Sequence, residues 1–165
     1  MKILVVGAGI CLHLLSASVP YRNLIEMTSC QYRVNPRLVA AIVWQESSWN
    51  AKAVGEDPGG KSWGLMQIKW STAKWLGFKG SRKELLNPAV NLHWGIKYLK
   101  SLAVRYPYGW DAISAYNLGH PVFHNGWANQ NYVNGVFRKY KRLGRKRNGQ
   151  DGGSRIVQYQ ANRLR

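Results

Sequence analysis

Acidic residues are scarce in this chain: seven Asp and Glu stand against 24 Lys and Arg among 165 residues, a formal charge of +17. A balance of that sign concentrates polyanions near the surface and speeds encounter with them. Nucleic acid, anionic lipid headgroups and the bacterial cell wall all satisfy it, so charge does not choose among them. Cysteine is nearly missing, with Cys11 and Cys30 the only two. If Cys11 departs with the N-terminal segment described below, Cys30 stands alone, which excludes an internal disulfide and a cysteine-based metal site. Cys30 then reads as a small buried hydrophobe. His93, His120 and His124 show no metal-ligand spacing with cysteine or with one another, so no metal and no cofactor are expected. Period-2 alternation is sparse, which argues against a sheet-dominated fold. No second apolar stretch approaches membrane-spanning length, and no internal repeat suggests a solenoid.

What is present is apolar and aromatic. Apolar residues make up 45% of the chain, with eight Trp and nine Tyr, enough for one compact domain with a proper core. Residues 1–20 stand apart. Lys2 precedes an apolar run from Ile3 to Ala17, broken only by His13 and Ser16; Ser16, Ala17 and Ser18 supply small residues at its end, and Pro20 follows. That is the layout of a secretory signal peptide, and it places the chain in the periplasm or outside the cell. The competing reading is an uncleaved anchor. Ile10, being bulky, spoils Cys11 as a lipoprotein site. After Phe137 the composition turns basic, with RKYKRLGRKR at 138–147. The domain is therefore expected over 21–143, with a basic, weakly structured tail over 144–165.

Helix signals dominate between those limits. Asn35-Pro36 and Asn87-Pro88 each pair an N-cap residue with proline at the first helical position. The first begins a helix running to about Ser47. The second begins a long helix with apolar spacing at Val90, Trp94, Tyr98 and Leu102, ended by Pro107 and Gly109. Shorter helices are expected over 21–34, around Ser71–Leu76, over WDAISAYNLG and from Tyr132 to Tyr140. The stretch from Asn50 to Trp63 reads as a loop. The expected class is all-α.

Leu38, Ile42 and Glu46 fall at i, i+4 and i+8, so Glu46 extends an apolar stripe at the last turn of its helix. Burial there disfavours the charged carboxylate, and the negative end of the helix dipole acts in the same direction. A carboxyl kept protonated near neutrality suits a general acid for glycosidic cleavage. A glutamate leaning into solvent fits the spacing as well.

The runs Glu46-Ser47-Ser48-Trp49-Asn50, Gly64-Leu65-Met66-Gln67-Ile68 and Ala115-Tyr116-Asn117-Leu118-Gly119 decide between them. In that order and spacing, with Asn87-Pro88, Asn91, Gly95 and Tyr98-Leu99 between, the chain resembles the soluble-type lytic transglycosylase catalytic domain, a goose-lysozyme-like helical fold. The resemblance covers about residues 24–140. It implies Glu46 as the single catalytic acid/base, with Ser47 orienting it or capping the helix end. Met66 and Gln67 would line the groove, Met66 as apolar wall and Gln67 as hydrogen-bond partner of substrate or Glu46. Tyr116 would bring its hydroxyl near Glu46, Asn117 would hold the turn after its helix, and Tyr132 matches a late tyrosine near the groove. Leu118 departs from the alanine usual in that run, and the Gly55–Ser62 segment is longer than in familiar members.

The implied reaction cleaves peptidoglycan between N-acetylmuramic acid and N-acetylglucosamine without water, leaving a 1,6-anhydro end. Two readings remain beside it. One is lysozyme-like hydrolysis, with Glu56 or Asp57 as a second carboxylate. The other is an idle glycan-binding assembly component. A nucleic-acid partner is not expected, because the basic run holds only Tyr140 among its residues. A monomer is expected, acting on glycan strands, with the tail touching anionic surfaces. The compact layout resembles that of members serving secretion, conjugation or pilus machines.

Overall fold

A computed structural model describes residues 15–57, 59–107, 110–121 and 126–144, without the side chain of Asp57. The expected tail beyond Gly144, most of the expected signal segment, and His124 lie outside these residues.

Six helices and a small sheet follow in the order α1 (Arg22–Gln31), α2 (Pro36–Ser47), β1 (Val54–Asp57), β2 (Gly60–Trp63), β3 (Ile68–Lys69), α3 (Trp70–Trp75), a 3-10 turn (Arg82–Leu86), α4 (Pro88–Arg105), α5 (Asp111–Leu118) and α6 (Gln130–Leu143). Both Asn-Pro starts behave as their chemistry dictates. The Asn35 side chain accepts from the Arg37 amide at 2.9 Å, and that of Asn87 from the Ala89 amide at 2.9 Å. Each satisfies an amide that has no partner within its own helix.

Helix α2 is the centre of the fold. Every residue from Leu38 to Val43 is fully buried, so the helix is enclosed on all sides rather than along one stripe. Two adjacent alanines, Ala40 and Ala41, let α1 and α6 approach it closely. On α4 the buried face comprises Leu92, Ile96, Leu99 and Leu102. Val90, Trp94 and Tyr98 lie beside it and are partly buried against a second, smaller core under β3 and α3. Half-buried His93 packs edge-on to Tyr32 and to Trp94. Burial, and then nearby Lys97, hold its pKa below the ordinary histidine value.

Two features differ from the sequence reading. The segment from Asn50 to Trp63 is not all loop: β1 and β2 form an antiparallel hairpin, with Val54 opposite Trp63 and Asp57 opposite Gly60, and β3 extends it against β2. Cys30 is neither buried nor free; it is exposed and disulfide-bonded. Leu15 and Val19 also belong to the main core. The Leu15 amide donates to Glu26 Oε1 at 2.9 Å, and Arg22 pairs with the same carboxylate at 3.3 Å.

Candidate active site

A groove of about 620 Å³ opens between the end of α2, the sheet, α4 and the end of α5. Its walls include Glu46, Ser62, Gln67, Tyr98, Tyr116 and Asn117, with Leu118 and Gly119 at the α5 end. Among the residues whose side chains are described, Glu46 is its one carboxylate. The other described acids are engaged elsewhere. Glu26 accepts in the core, and Glu84 caps the 3-10 turn through the Ser81 amide at 2.7 Å. Asp111, on the first turn of α5, accepts from Trp127 Nε1 at 2.9 Å. Glu56 pairs across the hairpin with Lys61 at 2.8 Å on an exposed surface.

Glu46 is half-buried on the last turn of α2. That helix stops in a left-handed residue, Ser48, at φ 49°, which turns the chain out toward the hairpin. Tyr132 of α6 donates its hydroxyl to Glu46 Oε1. Burial, followed by the negative charge of Glu46, holds the Tyr132 phenol well above the ordinary tyrosine range. The same two causes act in that order on Tyr116. Both phenols therefore stay protonated at neutral pH, and Tyr132 remains a donor to the carboxylate.

The remaining sequence candidates take distinct places. The Tyr116 hydroxyl donates to the Met66 carbonyl at 2.9 Å rather than to Glu46, while its ring lies 5.3 Å from that of Tyr98. The Met66 side chain is fully buried. A Cβ at Gly95 would fall 2.6 Å from its sulfur, so glycine there is what lets α4 seat it. Met66 thus reaches the site through its backbone and sits beneath the groove floor. Gln67, at φ 46°, bonds inward. Its Nε2 donates to the Gly64 and Ala53 carbonyls at 2.8 and 3.2 Å, and its Oε1 accepts from Ser62 Oγ at 2.8 Å. Gln67 therefore ties the hairpin to the groove floor. Ser47 Oγ donates to the Val43 carbonyl one turn back at 3.2 Å, at the helix end. Asn117 Oδ1 accepts from Asn129 Nδ2 at 2.9 Å, joining the end of α5 to the start of α6.

Sequence reasoning gave no role to Ser62, Lys69, Thr72 or Tyr98, which also line the groove. Tyr98 carried a signal, since it stood in the matched pattern and on the apolar spacing of α4. Ser62 carried none, because a hairpin had not been read there.

A family model described as transglycosylase SLT domain matches residues 23–135. The chain belongs to that family. Among its relatives, Protein IpgF of Shigella flexneri is 31% identical over 116 residues, 68% of this chain and 76% of that protein. The X polypeptide of Escherichia coli is 30% identical over 67% of this chain and 68% of its own. A membrane-bound lytic murein transglycosylase F 1 of Alkalilimnicola ehrlichii is 35% identical over 61% of this chain, but the match spans only 20% of that protein. Among solved structures, an inactive mutant of the lytic transglycosylase Slt from Pseudomonas aeruginosa superposes with a TM-score of 0.64 at 21% identity, over 77% of this chain and 24% of that one. The 70-kDa soluble lytic transglycosylase in complex with bulgecin A gives a TM-score of 0.54 at 25% identity, over 74% of this chain and 19% of the other. This SLT domain thus spans about a quarter or less of those larger enzymes, and it shares their lysozyme-like helical fold.

The short reach from Tyr132 to Glu46 makes a direct prediction. Tyr132→Phe keeps the ring in place and removes a donor that helps fix the carboxylate's direction. Turnover of purified peptidoglycan should fall by about 10- to 100-fold, within the span general acid–base positioning supplies. Thermal unfolding should shift by only a few degrees. Turnover within twofold of the parent would mean that Glu46 is oriented by other groups.

Proposed function

We propose that this SLT domain is a peptidoglycan lytic transglycosylase in which Glu46 is both acid and base. The observation that carries this reading is the solitary carboxylate: among the residues whose side chains are described, no second acid faces the groove. Glu46 would protonate the oxygen bridging N-acetylmuramic acid to N-acetylglucosamine. The muramyl N-acetyl group can stabilise the positive charge that develops at C1. Glu46, now a carboxylate, would take the proton of the same sugar's C6 hydroxyl as that oxygen attacks C1. The nucleophile is intramolecular, so its effective concentration is large and no second carboxylate is required to direct a water. Tyr132 would hold Glu46 toward the bond through both steps.

Mass spectrometry of products from purified peptidoglycan tests the proposal. It expects 1,6-anhydromuramyl ends; reducing ends would assign lysozyme-like hydrolysis instead. Ser47, Met66, Gln67, Tyr116 and Asn117 support the groove's shape in this reading, by the contacts described above.

Export to the periplasm or beyond is part of the same proposal, supported by the pattern of residues 1–20. Among the described residues no helix is long and apolar enough to cross a membrane. Service to a secretion, conjugation or pilus machine rests on the compact layout. The basic end, for its part, should add retention on anionic surfaces without entering the chemistry. Truncation after Leu143 is expected to weaken low-salt binding to cell wall or acidic lipid, an attraction screened over about 8 Å at physiological salt. Turnover of soluble fragments should stay within about twofold. Loss of turnover by a folded truncation would make the tail part of the domain.

A further inference from the structure

We propose that the groove continues into a distal subsite built on Trp75 and Arg105, which takes a sugar unit bearing a carboxylate. The proposal deepens the glycan-cleaving reading and rests on it.

Trp75 is the observation that starts the argument. Of the eight tryptophans it alone is exposed, at 72%. The others are buried or half-buried, and Trp70, one turn away on α3, donates its indole N–H to the Gly80 carbonyl at 3.1 Å. An indole left in water forgoes a large burial gain, and exposed tryptophans concentrate where a ligand or partner supplies that burial. Trp75 lies on the wall of a second depression, of about 360 Å³. Thr72, Tyr98 and Gly119 line both this depression and the catalytic groove, so the two adjoin.

The other walls fit a sugar. Ser71 and Ser101 contribute hydroxyls, which can bond ring hydroxyls or an acetamido group. Ser101 Oγ donates to the Tyr98 carbonyl at 2.7 Å, which leaves its lone pairs to accept. Arg105, at the end of α4, is exposed and, among the described residues, is the depression's one charged residue. Its guanidinium lies over the Tyr106 ring, 5.5 Å from the centroid. A planar guanidinium that has no hydrogen-bond partner among the described residues favours bidentate capture of a carboxylate. An indole face suits the apolar face of a pyranose. Both features in one depression beside the catalytic groove fit a muramyl unit whose lactyl group or peptide stem supplies the anion.

The test uses the full chain carrying Glu46→Gln, so that ligands bind without being cut, and reads affinity by calorimetry. Trp75→Ala should weaken binding of a GlcNAc–MurNAc octasaccharide about tenfold and that of the disaccharide less than twofold. Trp75→Phe should recover most of the loss. Arg105→Gln should weaken the carboxylate-bearing octasaccharide about fivefold and leave an N-acetylglucosamine octamer, which has no carboxylate, within twofold. Comparing strands with free lactyl groups and strands with intact stems shows which carboxylate is held. Equal affinity of the Trp75→Ala and parent proteins for long strands overturns the subsite. So does equal loss on disaccharide and octasaccharide, or a Trp75 effect confined to single-stranded oligonucleotide. Failure of the wild-type chain to cleave peptidoglycan at all would instead sink the underlying reading.

Discussion

Glu46→Gln is expected to lower peptidoglycan turnover by at least about 1,000-fold, the scale on which a positioned acid/base acts. The amide can neither give the proton the leaving oxygen needs nor accept one from the C6 hydroxyl. The fold should survive, because the Tyr132 hydroxyl bonds Oε1, and glutamine keeps a carbonyl oxygen that can accept there. The informative partner is a Glu56→Gln/Asp57→Asn double variant. Glu56 is exposed and paired with Lys61, so its loss should cost little, as surface pairs of this kind contribute about 1 kcal/mol or less. The double variant should retain most of the rate and still release anhydro products. Reducing-end products from the wild type, lost in the double variant, would return the hairpin to the chemistry and reject a single carboxylate.

Asn91→Ala is expected to cost about 3–5 kcal/mol in urea unfolding, the largest stability effect of any single change considered. Asn91 is fully buried and satisfies three backbone groups at once. Its Oδ1 accepts from the Met66 amide at 2.7 Å, while its Nδ2 donates to the Trp63 and Leu85 carbonyls, each at 2.7 Å. Alanine would remove this partner from the buried Met66 amide and Leu85 carbonyl and from the part-buried Trp63 carbonyl, at about 1–3 kcal/mol for each group left unsatisfied before relaxation or entry of water. The neighbourhood has no slack, since a Cβ at Gly64 would lie 2.4 Å from Asn91 Nδ2 and 2.5 Å from the Leu85 carbonyl. Asn91→Asp should not rescue, because it removes the donor and places a charge in the core. A loss under about 1 kcal/mol would show that the segment carrying Met66 and Gln67 is anchored elsewhere.

The helical frame was legible because its signals are local. Asn35-Pro36 and Asn87-Pro88 state the start of a helix in two residues, and Gly119, at φ 83°, ends α5 where its position suggested. The hairpin was not legible. Its strands have four residues each, with Gly55 and Gly60 interrupting any alternation, and its register comes from pairing rather than pattern. The Glu46 helix could be placed, but its enclosure could not. An amphipathic stripe and a helix buried from Leu38 to Val43 share the same apolar positions, and the alanines between them are neutral to the pattern. Gln67 and Tyr116 were readable as groove residues, whereas their bonds to the Gly64, Ala53 and Met66 carbonyls depend on backbone geometry no motif encodes. Cys30 misled because its reading depended on the fate of another segment.

The Glu46–Tyr132 contact joins residues 86 positions apart. A chain emerging from its N-terminus presents the carboxylate early and its phenol donor late. At synthesis rates of roughly 5–20 residues per second, the interval between them is roughly 4–17 s. Through that interval α2 also lacks α6, one of the helices that cover it. The contact that aims the Glu46 carboxylate therefore forms only when α6 arrives to close the core over α2.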